Sequence, residues 1–496
     1  MSQASGAAPV VETTAGLVQG YVDEGIAVFK GIPYGSARRF EAAVPPAAWT
    51  GIRAAVDYGP RCPQIIRAGI LLPSTDTTPA SEDCLVLNVW TPSVNAGGGR
   101  PVMVWFHGGG FGSLSGSSRL YDGVRLGQRG DVVVVTVNHR INVFGYLHLD
   151  GCPDAANAGM LDLVLALQWV RDNIQRFGGD PGNVTVFGES GGGAKVCVLM
   201  GMPTASGLYH RAIVQSGVHL TSLNEEQAAA NAARLLAELG AADVRTAPAD
   251  AVVAAYERVL ASGTVAYSPV VDGRHLPRQP WQPDAPEPSA AVPLLFCSTR
   301  TETTLLAGAY DRSLFDLAEG DFAHRLRRWL PADRIEEVAA AFADLYPDAS
   351  ASERFFLLTS DLYSRLGGWA LADRKAAQAG APVWVAELVW DTPFDGGRWM
   401  CPHTLDIPMV FANVGRVESV AGTGDEAMRV SDQMSAAWLA FARTGDPNDA
   451  AIPDWPAWSA DKPVTMLFDV DSRAVADWRA GERQALAAVP FRTPDR

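Results

Sequence analysis

With 496 residues, 48% of them hydrophobic and 19% charged, the chain can bury a large core and has the balance of a globular protein. A formal net charge of −15 and the lack of any lysine or arginine block argue against a nucleic-acid groove, and no apolar run approaches bilayer length. Six cysteines without a CxxC pair suggest neither a zinc site nor a redox motif, so no metal and no organic cofactor is expected.

The first residues, MSQASGAAPVVETTAG, lack the basic start and apolar stretch of a secretion signal. They predict a cytoplasmic protein. GLVQGYV and IAVFKGIPYG alternate with glycine turns and read as a small N-terminal hairpin region. Apolar, β-branched runs follow at wider spacing: CLVLNVW, PVMVWF, DVVVVTV, NVTVF, RAIVQS, AVPLLF and PVWVAELVW. Runs apolar on both faces fit a mostly parallel sheet covered by helices on each side.

Helical patterns lie between these runs. Leu163, Leu167, Val170, Ile174 and Phe177 share one helix face, and Gly178-Gly179-Asp180-Pro181-Gly182 is expected to end that helix before a strand at NVTVF. Further helices are expected around NEEQAAANAARLLAELG, RIEEVAAAFADLY and SDQMSAAWLAFARTG. Strands alternating with helices predict an α/β fold. The whole chain, 1–496, reads as one domain with pocket-forming insertions at about 220–290 and 305–400.

Two glycine-rich stretches carry chemistry. PVMVWF ends in His107-Gly108-Gly109-Gly110-Phe111, and NVTVF runs into Gly188-Glu189-Ser190-Gly191-Gly192 ahead of the helix-compatible GGGAKVCVLM. The second is G-x-S-x-G in a strand–turn–helix setting, the pattern of an α/β-hydrolase nucleophile elbow. A serine on so sharp a turn needs neighbours almost without side chains, which Gly188 and Gly192 supply. A phosphate loop starting at Gly188 would want lysine at 194 and Ser or Thr at 195, where Ala194 and Lys195 stand. The HGGG stretch offers backbone N–H groups to an anion. Gly109, Gly110 and Gly191 are therefore the candidate oxyanion-hole donors, with His107 structural.

At this point the chain resembles the type-B carboxylesterase/cholinesterase family of α/β-hydrolases. The likeness rests on EDCLVLNVW, HGGGF, NHRINVFGYL, NAGMLDLVLALQWVRDNIQRFGGDPGNVTVFGESGGG, SPVVDGRHLP and HTLDIPMVF, in that order. It implies a Ser–Glu–His triad of Ser190, Glu302 in LLFCSTRTETT and His403 in CPHTLDIPMVF, with Ser216 of AIVQSG as a supporting serine nearby. Cys297 stands where the family commonly has glycine, Thr301 where it has an acid, His139 where it has an aromatic residue, and Gly191 where it has alanine. The resemblance also pairs Cys62 with Cys84 as a disulfide.

The expected function is hydrolysis of small to medium aryl or alkyl esters through an acyl-enzyme on Ser190. Aryl carbamates or related amide-like bonds are the alternative substrates, since the same triad would serve them. A non-catalytic adhesion protein on the same scaffold is the alternative from another class. A small-molecule ligand, no nucleic acid, no membrane, and a monomer or weak homodimer complete the expectation. Leu72, Phe111, Phe315 and Met400 are read as core in preference to substrate contacts.

Overall fold

Valine after valine, broken only by Thr136, whose buried hydroxyl donates to the Gly116 carbonyl, makes Val133–Val137 a strand wholly out of water. The strands beside it are of the same kind: Val86–Thr91 is buried throughout, and Arg100–Phe106 from its third residue on. A computed structural model describes residues 8–66, 76–94, 97–240, 243–263 and 265–491. They cluster into two compact units, the first drawing on Met1–Arg67, Thr75–Ala212 and Ser222–Pro280, the second chiefly on Ile213–Thr221 and Trp281–Arg496.

In the first unit, Arg100–Phe106 lies parallel to Val133–Val137 on one side and to Gly179–Glu189 on the other. Antiparallel strands Val86–Thr91, Ile26–Pro33 and Tyr21–Asp23 extend the sheet from Val133–Val137. Tyr21–Asp23 and Ile26–Pro33 are the hairpin that GLVQGYV and IAVFKGIPYG predict, whereas Leu17–Gln19 pairs instead with Val10–Glu12. The helix Ala158–Asn173 continues as a 3-10 turn to Phe177, and all five residues of its anticipated face are fully buried. Gly178, at φ 83°, ends it.

One boundary differs from expectation. The strand begins at Gly179, not at Asn183, so Asp180-Pro181-Gly182 belongs to it. The pairing jumps from Arg100↔Gly179 to Val102↔Val184, and a bulge absorbs the extra residues. A tertiary partner has overridden local turn chemistry.

In the second unit, Leu294–Thr299, Val383–Leu388 and Val464–Phe468 run parallel, with Arg473–Ala476 antiparallel beyond them. Helices Ile335–Leu345 and Asp425–Thr444 stand where expected, and in the first unit Glu225–Leu239 starts from a capping box on Asn224. A long helical run, Ala351–Ala377, is interrupted by a π-turn at Asp361–Arg365. Phe315 and Met400 pack against its apolar cluster, and in the first unit Phe111 is buried against Tyr146. Leu72 lies outside the described residues. No helix among the described residues is long and apolar enough to cross a membrane.

Candidate active site

Strand Gly179–Glu189 hands over to helix Gly191–Leu199 at a single residue, Ser190, whose φ of 57° and ψ of −125° lie outside the relaxed regions for an L-residue. Such a conformation costs on the order of 1–3 kcal/mol and persists only where its surroundings over-determine it. Crowding does so here. A Cβ on Gly192 would overlap the carbonyl oxygen of Phe106, and one on Gly188 would come within 2.6 Å of that oxygen. Ser190 itself is half-buried, at the head of a helix whose nine residues are all buried.

The strand register brings the second glycine stretch alongside. Phe106 pairs with Gly188, so His107–Gly110 leave the sheet next to the elbow. Gly109 and Gly110 take φ values of 80° and 59°, and a Cβ on Gly191 would overlap the Gly110 carbonyl oxygen. Among the described residues, neither the Gly109 nor the Gly110 amide donates to a backbone acceptor. The Gly191 amide is the first of its helix and has no intrahelical partner. Around Ser190, main-chain donors thus gather where an anion would develop.

In the second unit, Glu302 opens a short helix directly after strand Leu294–Thr299 and is wholly buried. One carboxylate oxygen accepts from the Thr299 amide at 3.0 Å, and the other lies 2.6 Å from His403 Nδ1. The Thr301 amide donates to the Cys401 carbonyl, and the Cys401 amide donates to Thr301 Oγ1, each at 3.0 Å. These two bonds lock the loop before Glu302 to the loop before His403. Tyr363 meets the His403 ring edge to face at 5.5 Å.

The carboxylesterase family model matches residues 7–485. The chain belongs to the carboxylesterase family. It is 35% identical to the para-nitrobenzyl esterase of Bacillus subtilis, over 96% of this chain and 98% of that one. It is also 32% identical to the phenmedipham hydrolase of Pseudarthrobacter oxydans, over 94% and 96%. Among solved structures, a carboxylesterase of Geobacillus stearothermophilus superposes with a TM-score of 0.82 at 37% identity, covering 96% of this chain and 99% of that one. The fold is that of the α/β-hydrolases.

The departures from the carboxylesterase pattern acquire local reasons. Thr301 uses its hydroxyl to hold Cys401. Cys297 is fully buried, and its carbonyl accepts from the Ser216 amide at 2.8 Å. His139 stacks on His107 at 4.7 Å, and burial holds its ring well below the usual imidazole range, so it behaves as a neutral aromatic slab. Ser216 sits at φ 50°, and its buried Oγ has no partner among the described residues.

The two cysteines of the implied bridge, Cys62 and Cys84, stand here as buried free thiols, hydrogen-bonded to each other. That bond and burial push the Cys84 thiol well above its usual range.

Two site residues escaped the sequence reading. Asp406 is fully buried and accepts from Gln215 Nε2 at 2.6 Å; Gln215 Oε1 in turn accepts from Trp438 Nε1 at 3.0 Å. Burial raises the Asp406 carboxyl to about 6 against the Gln215 bond, with Glu302 repelling its charge and His403 favouring it. Lys195 is the second. Its Nζ donates to the carbonyls of His107 at 3.0 Å and Gly110 at 2.8 Å.

Proposed function

We propose that this chain is a serine carboxylic-ester hydrolase in which Ser190, Glu302 and His403 form the triad and the amides of Gly109, Gly110 and Gly191 form the oxyanion hole. A serine hydroxyl is a weak nucleophile until a base takes its proton. His403 Nε2 accepts that proton as Ser190 Oγ attacks the ester carbonyl. The charge passes to the carbonyl oxygen, where the three amides receive it. Glu302 keeps His403 in the tautomer with Nδ1–H and stabilises the imidazolium. His403 then protonates the leaving alcohol, and water repeats the cycle on the acyl-enzyme.

The observation that carries this reading is the strained Ser190 turn packed against an oxyanion loop, in a chain whose buried glutamate and histidine form a 2.6 Å bond. Kinship with a para-nitrobenzyl esterase supports small aryl esters as substrates. The similarity to a phenmedipham hydrolase favours aryl carbamates as a second class, since they require the same attack and the same oxyanion support.

A fluorophosphonate probe followed by peptide mass analysis tests the assignment. Covalent mass on Ser190 is expected, together with complete loss of p-nitrophenyl ester turnover in a folded Ser190→Ala variant. A Ser190→Ala protein retaining half its activity would remove the nucleophile and the mechanism with it.

A further inference from the structure

Lysine is almost never fully buried, because its ammonium loses water that few protein groups can replace. The chain has four lysines, Lys30, Lys195, Lys375 and Lys462, and Lys195 is 0% exposed. It stands at the middle of helix Gly191–Leu199, past the first turn, where no helix end is at hand to take up its charge. With Ala194, it is also a residue that breaks the phosphate-loop pattern. Something local must require it.

Helix geometry shows what it reaches. Gly191 and Lys195 are four residues apart and share a face, and side chains on a helix lean toward its N-terminus. The Lys195 stem therefore runs back over Gly191 to the oxyanion loop. The same Gly110 oxygen that would collide with a Cβ on Gly191 accepts the ammonium's hydrogen bond. Bare Gly191 admits the carbonyl, and Lys195 holds it.

Peptide planes convert that grip into an orientation. Each peptide unit is rigid, with C=O and N–H pointing opposite ways. The donors of Gly109 and Gly110 belong to the units 108–109 and 109–110. Lys195 fixes the two units that flank them, 107–108 and 110–111, through the His107 and Gly110 carbonyls. The donor units are tied from behind as well. Gly108 O accepts from His107 Nδ1 at 3.0 Å, and Gly109 O accepts from the Gly112 and Ser113 amides at 3.2 and 3.0 Å. Burial and the nearby Lys195 charge keep His107 neutral, far below the usual imidazole range.

We propose that Lys195 is a positioning residue for the oxyanion hole: its ammonium clamps both ends of the donor segment, and Gly191 is glycine so that the Gly110 carbonyl can reach the clamp. The inference rests on the hydrolase reading above. It is separable from that reading because Ser190 can be titrated on its own.

The test compares the wild type with Lys195→Met and Gly191→Ala, each normalised to sites titrated by a fluorophosphonate. Freeing the clamp should cost kcat about 10²–10³-fold, the loss typical of one oxyanion donor, with KM on a p-nitrophenyl ester within about threefold. Affinity for a trifluoromethyl ketone, which forms a tetrahedral adduct, should fall in step with kcat/KM. Gly191→Ala should lower kcat in the wild type and much less in the Lys195→Met background, because the carbonyl it displaces is already free.

A kcat per titrated site within threefold of wild type in Lys195→Met overturns the proposal, as does a loss confined to KM. Should Lys195→Met fail to fold, Gly191→Ala decides alone: it keeps the lysine, and wild-type kcat there also overturns the proposal. Failure of the hydrolase reading looks different, since then not even the wild type labels at Ser190.

Discussion

Around Ser190 the close neighbours are main chain: the Phe106 carbonyl against Gly192 and Gly188, and the Gly110 carbonyl against Gly191. Around Glu302 and His403 they are side chains and buried charges. Thr299, whose amide holds Glu302, gives its carbonyl to Arg365 Nη1 at 2.7 Å. Arg365 pairs with Asp361 and, at 3.5 Å, with Glu387; Arg479 pairs with Glu387 at 2.7 Å and Glu482 at 3.3 Å. Burial alone would raise the Glu387 carboxyl, but Arg479 and Arg365 hold it down at about 2. Ser190 is held by shape, and the Glu302–His403 pair by hydrogen bonds and buried charge. Shape tolerates no added atom, whereas a charged network can be weakened one bond at a time.

The sharpest break on the electrostatic side is Glu302→Gln. The amide can still meet His403 but no longer enforces the Nδ1–H tautomer or offsets an imidazolium, and a comparable change in a serine protease lowers kcat about 10⁴-fold. Steady-state kinetics on a p-nitrophenyl ester should show that loss with the protein folded by circular dichroism. A loss below tenfold would mean that Glu302 does not govern His403.

Arg365→Met comes next and probes the network behind the acid. Removing one partner of a buried ion pair costs about 3–5 kcal/mol, because the remaining carboxylates lose compensation. The urea midpoint should drop accordingly. Activity per folded molecule should fall far less than in Glu302→Gln, since Arg365 reaches Glu302 only through Thr299. Equal catalytic losses in the two variants would erase the distinction between acid and support.

The same contrast explains what could be read beforehand. Steric demand leaves a compositional trace, because glycine alone meets it at Gly188 and Gly192; these and the 108–110 run announced the elbow and its loop without coordinates. A carboxylate and an imidazole 101 residues apart leave no local trace, and Glu302 and His403 were legible only through family resemblance. The charges behind them were not legible as a network: Asp361 and Arg365 have the ordinary i,i+4 helical spacing, but nothing local says that Arg365 reaches Glu387 and the Thr299 carbonyl. Lys195 did have a signal, its four-residue spacing from Gly191, but the signal has meaning only once Gly110 is known to lie there. The early start of strand Gly179–Glu189 was hidden for the opposite reason, as Gly-Asp-Pro-Gly reads locally as a turn.

Asp406→Asn is the gentlest probe, and its sign is informative. The carboxyl is raised from 3.8 to about 6 by burial, so the folded state prefers it protonated. The stability it contributes is complete below about pH 3.8 and is lost as pH rises through about 6. Asparagine keeps an oxygen for Gln215 Nε2 without the charge, so the variant should gain on the wild type above pH 6 and match it near pH 4 in urea titrations. Activity should move the other way along the pH axis. The Asp406 charge favours a protonated His403, so removing it should shift the acid limb of kcat/KM to lower pH. An acid limb that stays in place would show that Asp406, though buried in the same unit, is electrostatically uncoupled from the base.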